Sequence, residues 1–183
     1  MDKQKLLTPE HVLRFKNVTD AQLSPDGELV AFVVGDSSVI DTKYPKSRIW
    51  VVSTDKSELR PLTTGPNSDT MPRWSPDGQN LAFLSDRDEN GIRQLYVLPR
   101  SGGESVQITA SDKDPITSQS LDEIAWSPDG SQIAYLKCDA DTVEEKNQKD
   151  QKKDHIKFEQ KPKYTRIYVV VVETGETRCV SPS

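Results

Sequence analysis

Three short segments of this 183-residue chain place a serine two positions before an aspartate. They are Leu23-Ser24-Pro25-Asp26-Gly27, Trp74-Ser75-Pro76-Asp77-Gly78 and Trp126-Ser127-Pro128-Asp129-Gly130. A nucleophilic serine needs a base within reach, and none accompanies these segments. Proline instead presets φ for a tight turn, aspartate bonds to nearby backbone N–H groups, and glycine accepts left-handed backbone before a strand. We therefore interpret the Ser-Pro-Asp-Gly motif as a turn that performs no chemistry.

The histidines and cysteines do not form a recognisable reactive group. His11 lies in a predicted helix and His155 in a charged loop, so neither belongs to a Ser-His-Asp arrangement or a metal site. Cys138 and Cys179 fall in the second and fourth strands of one predicted unit. We expect packed thiols rather than a disulfide.

Two further segments resemble reactive motifs only in composition. The charged run Ser85–Gly91 lacks the spacing and final glutamate of a twelve-residue calcium loop, so we interpret it as a solvated turn. The segment 100–104 has the order Ser-Gly-Gly, not the Gly-x-Ser-x-Gly of a nucleophile elbow. We predict no catalytic residue, no cofactor-binding residue and no metal ligand in this chain.

The motif belongs to a longer repeat, because its prolines lie at positions 25, 76 and 128, which are 51 and 52 residues apart. A period of this length is typical of an array of similar structural units. Four residues after each motif glycine comes an alanine followed by an aromatic residue: Ala31-Phe32, Ala82-Phe83 and Ala134-Tyr135. A later aromatic residue precedes an apolar-hydroxyl pair by twelve positions: Trp50 and Leu62-Thr63, Tyr96 and Ile108-Thr109, Tyr168 and Val180-Ser181. The constant spacing predicts a fixed hairpin register in each unit.

Four short strands per unit are typical of a β-propeller blade. Because the run after each motif glycine is apolar on both faces, we expect that strand to be sandwiched between layers. We predict an all-β fold, a partial β-propeller of three four-stranded blades preceded by a short N-terminal helix at 8–17, with Thr8 as N-cap. The predicted parts are an adaptor helix in 1–17, blade 1 in 18–64, blade 2 in 65–110, and blade 3 in 111–183 with a charged insertion at 139–164.

The insertion is the most polar stretch of the chain. Residues 144–163 contain seven lysines and five acidic residues, with Ile156 and Phe158 as the apolar exceptions near their centre. Such a segment buries too little apolar surface to order itself easily, so we interpret it as a solvated loop on one rim. The alternative is a contact arm for a partner domain, subunit or substrate, with Ile156 and Phe158 as anchors.

Composition excludes several classes of partner. The net charge of −5 argues against nucleic acid. No apolar run approaches the roughly 18 residues of a membrane helix. The N-terminus carries no apolar signal segment, so we expect a cytoplasmic chain.

Because propellers have about four to eight blades, three cannot close a ring. We expect this chain to be the front part of a longer protein. Alternatively, partner chains complete the ring, and these could be further copies of this chain.

Several features together resemble one family. They are the Thr-Pro-Glu sequence at 8–10, the segment Val18–Gly27, the Trp-Ser-Pro-Asp-Gly repeats and the charged insertion. This combination resembles the N-terminal propeller region of prolyl-oligopeptidase-family (S9) serine peptidases, in the acylaminoacyl-peptidase and dipeptidyl-peptidase branch. The blade motif itself also occurs in TolB-like proteins.

The resemblance implies a function that this chain cannot perform alone. In that family a propeller restricts access to the Ser-Asp-His triad of a C-terminal α/β-hydrolase domain, so that only short peptides are cleaved. No position here matches the triad, and we expect the hydrolase domain in the same or a second chain. The alternative is a TolB- or WD40-like propeller that binds a protein partner and has no catalytic activity.

Overall fold

The computed structural model describes residues 16–36, 46–88, 91–109, 120–139 and 163–181. Their twelve strands form three four-stranded antiparallel sheets, each with its strands in chain order. Blade 1 consists of β1 Lys16–Leu23, β2 Leu29–Asp36, β3 Ser47–Ser53 and β4 Leu59–Pro61. Blade 2 consists of β5 Asp69–Trp74, β6 Asn80–Ser85, β7 Gln94–Pro99 and β8 Val106–Gln107. Blade 3 consists of β9 Leu121–Trp126, β10 Gln132–Cys138, β11 Thr165–Val171 and β12 Thr177–Cys179. The prediction of an all-β chain with three four-stranded blades is confirmed.

The prediction of an N-terminal helix is wrong for its last two residues. Lys16 and Asn17 belong to β1, where they pair with Asp36 and Gly35 of β2. The long β2 offers ladder partners to these two residues, and the ammonium of Lys16 forms an ion pair with Asp36. These tertiary partners outweigh the local helix signals. The rest of the predicted helix lies outside the described residues. No helix in the described ranges is long and apolar enough to cross a membrane.

The core lies in the two seams where neighbouring blades meet. Side chains of β6 alternate between these seams, with Leu81 and Phe83 facing blade 1, and Ala82 and Leu84 facing blade 3. Strand β7 alternates in the same way. Because successive side chains of a strand point to opposite faces, blade 2 contributes to both clusters.

Burial follows the position of each blade. All residues of β6 after Asn80 are buried, as the sequence predicts for a sandwiched strand. In β2 and β10, buried and half-buried residues alternate instead. The sandwich prediction is therefore confirmed for blade 2, whereas blades 1 and 3 each have one covered face among the described residues.

The repeated apolar-hydroxyl pair closes the outer hairpin of each blade. The N–H groups of Leu62, Ile108 and Val180 donate to the carbonyl oxygens of Ile49, Leu95 and Ile167 at 2.8, 2.9 and 2.9 Å. The next residue then accepts from the third strand through its hydroxyl: Thr63 from Ile49 N at 3.0 Å, Thr109 from Leu95 N at 3.0 Å and Ser181 from Ile167 N at 3.3 Å. The hydroxyl thus completes the pairing where the short fourth strand has ended.

The first strand of every blade is interrupted at the same place. Four residues before the motif serine, φ is positive: 51° at Asp20, 55° at Met71 and 45° at Glu123. The register with the second strand shifts there in all three blades. These are β-bulges, which leave an extra residue on the first strand and increase its twist.

Candidate functional site

The motif serine and aspartate are engaged within their own turn. In blade 2, Ser75 Oγ donates to Asp77 Oδ1 at 2.5 Å and accepts from Asn80 N at 2.9 Å. Asp77 Oδ1 also accepts from Gln79 N at 3.0 Å. The same bonds recur in blade 1 around Ser24 and in blade 3 around Ser127. Since the hydroxyl donates directly to the carboxylate and accepts a backbone N–H, the arrangement builds a turn and not a nucleophile.

These bonds lower the pKa of the motif carboxyls. The Ser127 hydroxyl and the Ser131 backbone N–H hold the pKa of Asp129 at about 2. The Ser75 hydroxyl, followed by the Gln79 N–H, lowers the pKa of Asp77. For Asp26 the largest cause is the Arg100 guanidinium, which pairs with it from the next blade. Hydrogen bonds to the charged form of a carboxyl favour that form.

Neighbouring blades are joined by a contact that repeats. Trp74 Nε1 donates to the carbonyl oxygen of Gln22 in blade 1 at 3.1 Å, and Trp126 Nε1 donates to that of Arg73 in blade 2 at 2.9 Å. The motif turns also stack, because a methyl group on Gly78 would lie 3.4 Å from Pro25 Cδ. The corresponding distance from Gly130 to Pro76 Cδ is 3.6 Å. The tryptophan and glycine of the motif therefore also serve as contacts between blades.

The seam between blades 1 and 2 is polar where the first strands, β1 and β5, face each other and where the turns meet. Arg73 Nη1 donates to both carboxylate oxygens of Asp20, at 2.8 and 3.0 Å. Arg100 forms ion pairs with Asp26 and Glu28. At the outer side this seam opens into a cleft of about 760 Å³ lined largely by charged and hydroxyl side chains.

The seam between blades 2 and 3 is apolar in the corresponding places. Val172 takes the position of Arg100, and Ala125 takes that of Arg73. The matching cleft, of about 610 Å³, is lined by Val106, Trp126 and Val172 together with polar residues of the motif turns, such as Asp77 and Asp129. The two seams thus share one geometry but differ in chemistry.

Arg87 is the centre of a polar cluster that the sequence did not predict. Its guanidinium donates to Asp69, Ser85 and Ser105 at 2.8 Å each. It also lies over the stacked rings of Phe83 and Tyr96, 5.3 and 5.1 Å from their centroids. Asp69 is only 1% exposed, so the guanidinium compensates a buried carboxylate. The only sequence signal for this role is an arginine two residues after the buried strand β6.

The other candidate residues are not brought together. His11 and His155 lie outside the described residues. Cys138 and Cys179 are free thiols, and Cys179 is exposed, so the prediction of packed thiols is wrong for Cys179. It ends β12, which is an edge strand of its sheet among the described strands. In the described ranges, no three His, Cys, Asp or Glu side chains are grouped to hold a metal ion.

The chain is similar to known proteins along most of its length. Residues 4–161 match the TolB beta propeller domain family. The sequence is 39% identical over 130 residues to "Uncharacterized peptidase YuxL" of Bacillus subtilis, which covers 71% of this chain and 19% of that protein. It is 31% identical over 132 residues to dipeptidyl-peptidase 5 of Aspergillus fumigatus, which covers 65% of this chain and 18% of that protein. The chain therefore spans about a fifth of the length of these curated relatives.

A solved structure supports the same fold. The acylaminoacyl peptidase of Pyrococcus horikoshii superposes with a TM-score of 0.64 at 17% identity, over 89% of this chain and 24% of that one. This likeness is one of fold, and it concerns the propeller, to which the three consecutive four-stranded blades belong. The chain belongs to the TolB β-propeller domain family.

Proposed function

We propose that this chain is the front part of a propeller that limits access to the active site of a serine peptidase. In this proposal the propeller admits short peptides, and acyl transfer takes place in an α/β-hydrolase domain beyond the described blades. The chain itself supplies walls and contacts between blades, and no reacting group. A cytoplasmic location is part of the same proposal, and cell fractionation checks it.

One observation carries the proposal. The relatives that match this propeller are named peptidases, and they extend far beyond the matched region. The geometry agrees with a passive role, because the three repeated serines are engaged in turn bonds. Tight motif turns and paired seams suit a rigid filter better than a reactive surface.

The complete protein provides the test. We expect it to hydrolyse short acylaminoacyl or dipeptidyl chromogenic substrates, and a serine-directed inhibitor to abolish this activity. Residues 1–183 alone should hydrolyse none of them. Absence of hydrolysis by the complete protein, or inhibitor-sensitive turnover by residues 1–183, would contradict the proposal.

The filter itself needs a separate measurement. Weakening a seam with Trp126→Leu should raise hydrolysis of longer peptides relative to short ones, because the indole bond and its packing are lost. Trp50→Leu is the matched control, since Trp50 lies between Ile49 and Val51, which face blade 2, and therefore points to the opposite face of blade 1. Unchanged length selectivity in the Trp126 variant would argue against a filter.

A second candidate is a propeller that binds a protein partner without catalysis. The match to the TolB family favours it, because that match concerns the propeller only. The gene downstream of Ser183 separates the two functions. A Gly-x-Ser-x-Gly motif followed by aspartate and histidine supports the peptidase, and a stop after further blades supports the binding module.

A further inference from the structure

Blade 3 presents a sheet face that points away from blade 2. Ile133, Tyr135 and Val170 lie in the cluster shared with blade 2, so the strand alternation turns their neighbours Ala134 and Val169 to the opposite face. We propose that this face takes one further blade, whose motif aromatic is tryptophan and whose preceding residue is arginine or lysine. The inference rests on the proposed continuation of the propeller and is independent of peptidase activity.

The indole bond supplies the first argument. Both described acceptors, Gln22 and Arg73, lie two positions before the motif serine of their own blade. They pair with Ala31 and Ala82 on the second strands. Ala125 has the same place, and it pairs with Ala134 in the same register. The carbonyl oxygen of Ala125 is therefore positioned to accept an indole N–H from the next blade.

The motif turns supply the second argument. Pro25 lies beside the motif glycine of blade 2, and Pro76 lies beside that of blade 3. Pro128 occupies the same turn position in blade 3 and is exposed. A blade that follows at the same spacing would place its own motif glycine on Pro128. The positive φ of the turn favours glycine at this position, as it does at Gly78 and Gly130.

Charge at the bulge makes the inference specific. In blade 1 the bulge residue is Asp20, and blade 2 places Arg73 against it. In blade 2 the bulge residue is Met71, and blade 3 offers Ala125 at the position that corresponds to Arg73. Acid thus faces base between blades 1 and 2, and blade 3 has no charge at the position that corresponds to Arg73. Blade 3 has Glu123 at this position, with φ of 45° and an exposed side chain. A cation before the next motif aromatic complements it.

A second copy of this chain fits the face less well. Its blade 1 would offer Leu23 in place of tryptophan and Gln22 in place of arginine. Leu23 can donate no indole bond, and Gln22 carries no charge for Glu123. The described contacts therefore favour a blade of the kind represented by blade 2, in which Arg73 and Trp74 stand at these positions.

The test appends a copy of residues 65–109 after Ser183, which supplies a fourth blade with the copied Arg73 and Trp74. We measure urea unfolding for Glu123→Gln, for Arg73→Gln in the appended copy, and for both together. Each single change should raise the unfolding equilibrium constant about two- to fivefold, as expected for a partly exposed ion pair. The second change should add little to the first. Fully additive effects would overturn the inference.

The control is Glu173→Gln, which removes a carboxylate from an exposed turn at the far end of β11. It should leave unfolding unchanged in the extended chain. Sedimentation equilibrium of the unmodified chain tests the second copy as occupant. A stable dimer that persists when the fourth blade is appended would overturn the inference.

The complete protein gives an independent test if the extended chain does not fold. There, Glu123→Arg should raise the unfolding constant well beyond the effect of Glu173→Arg, because it places two cations together. Equal effects of the two reversals would contradict the proposed pairing. An acidic or apolar residue before the next motif aromatic in the gene would contradict it as well.

Discussion

The aspartate of each motif acts as a fixed hydrogen-bond acceptor. In blade 3 the carboxylate of Asp129 accepts from the Ser127 hydroxyl and from the N–H and hydroxyl of Ser131. These donors lower its pKa from 3.8 to about 2. Because the folded pKa lies below the unfolded one, the stabilisation is complete above about pH 4 and is lost as the pH falls towards 2.

Asp129→Asn should therefore weaken the acid dependence of stability. Asparagine keeps the acceptor oxygen but does not titrate, so the decline in unfolding free energy between pH 4 and pH 2 should become shallower. Urea unfolding at several pH values measures this. Glu173→Gln, which also removes one exposed carboxylate from blade 3, is the control. An identical pH profile for Asp129→Asn and the parent chain would contradict the prediction.

The bulge positions hold non-glycine residues in left-handed backbone. Such a conformation costs about 1 kcal/mol for an L residue, whereas glycine adopts it freely. Glu123 is exposed, while Met71 packs against the cluster between blades 2 and 3. The same backbone geometry thus has different consequences at the two sites.

Glu123→Gly should leave stability unchanged or raise it by up to about 1 kcal/mol in this chain, since strain is relieved at the cost of some unfolded-state entropy. Met71→Gly should lower stability by about 2–4 kcal/mol, because the lost side chain leaves a cavity. Denaturant unfolding of both variants measures the contrast. A larger loss for Glu123→Gly than for Met71→Gly would contradict the prediction.

Strands are held across each seam by the indole of the following blade. The chain has three tryptophans, and two of them, Trp74 and Trp126, donate to a backbone carbonyl of the preceding blade. The indole of Trp50 forms no hydrogen bond with any described residue. The chain therefore contains its own control for the contribution of this bond.

Trp126→Phe should lower the unfolding free energy by about 1–3 kcal/mol, because the carbonyl of Arg73 loses its donor and some packing is lost. Trp50→Phe should cost less, since it removes no such bond. The difference between the two variants in denaturant unfolding measures the seam contact. Equal losses would show that the indole N–H contributes nothing there.

The arrangement of the blades places ionic contacts mainly on one side of blade 2. Towards blade 1, ion pairs join Arg73 to Asp20, Lys46 to Asp86, and Arg100 to Asp26 and Glu28. Towards blade 3, the described residues contribute the pair of Arg93 and Asp122. Exposed pairs are screened by salt, whereas apolar contacts are not weakened in this way.

Added salt should therefore destabilise blade 1 more than blade 3. Between about 0.05 and 0.5 M KCl, where the screening length becomes shorter than about 5 Å, amide exchange in β2 and β3 should accelerate relative to that in β10 and β11. Hydrogen exchange read by mass spectrometry measures this. Arg100→Met should reduce the salt response of blade 1. Parallel acceleration in both blades would contradict the prediction.

The sequence by itself determined what depends on neighbours along the chain. Tight turns, the strand after each motif glycine and the hairpin register follow from φ preferences and side-chain period, which act over a few residues. The repeat of 51 and 52 residues then predicted three like blades. The repeated hydroxyls could be located from spacing, although their bonds to the third strand could not.

Only the tertiary structure decided which residues meet across the seams. Trp126 and Arg73 are 53 positions apart, as are Arg73 and Asp20, and no local preference links them. The same packing buried both faces of β6 and placed Arg87 over Phe83. It also places residues 16 and 17 in β1, where a helix was predicted. A strand takes its backbone hydrogen bonds from a partner strand, whereas a helix forms them within its own segment, so local sequence could not show this pairing.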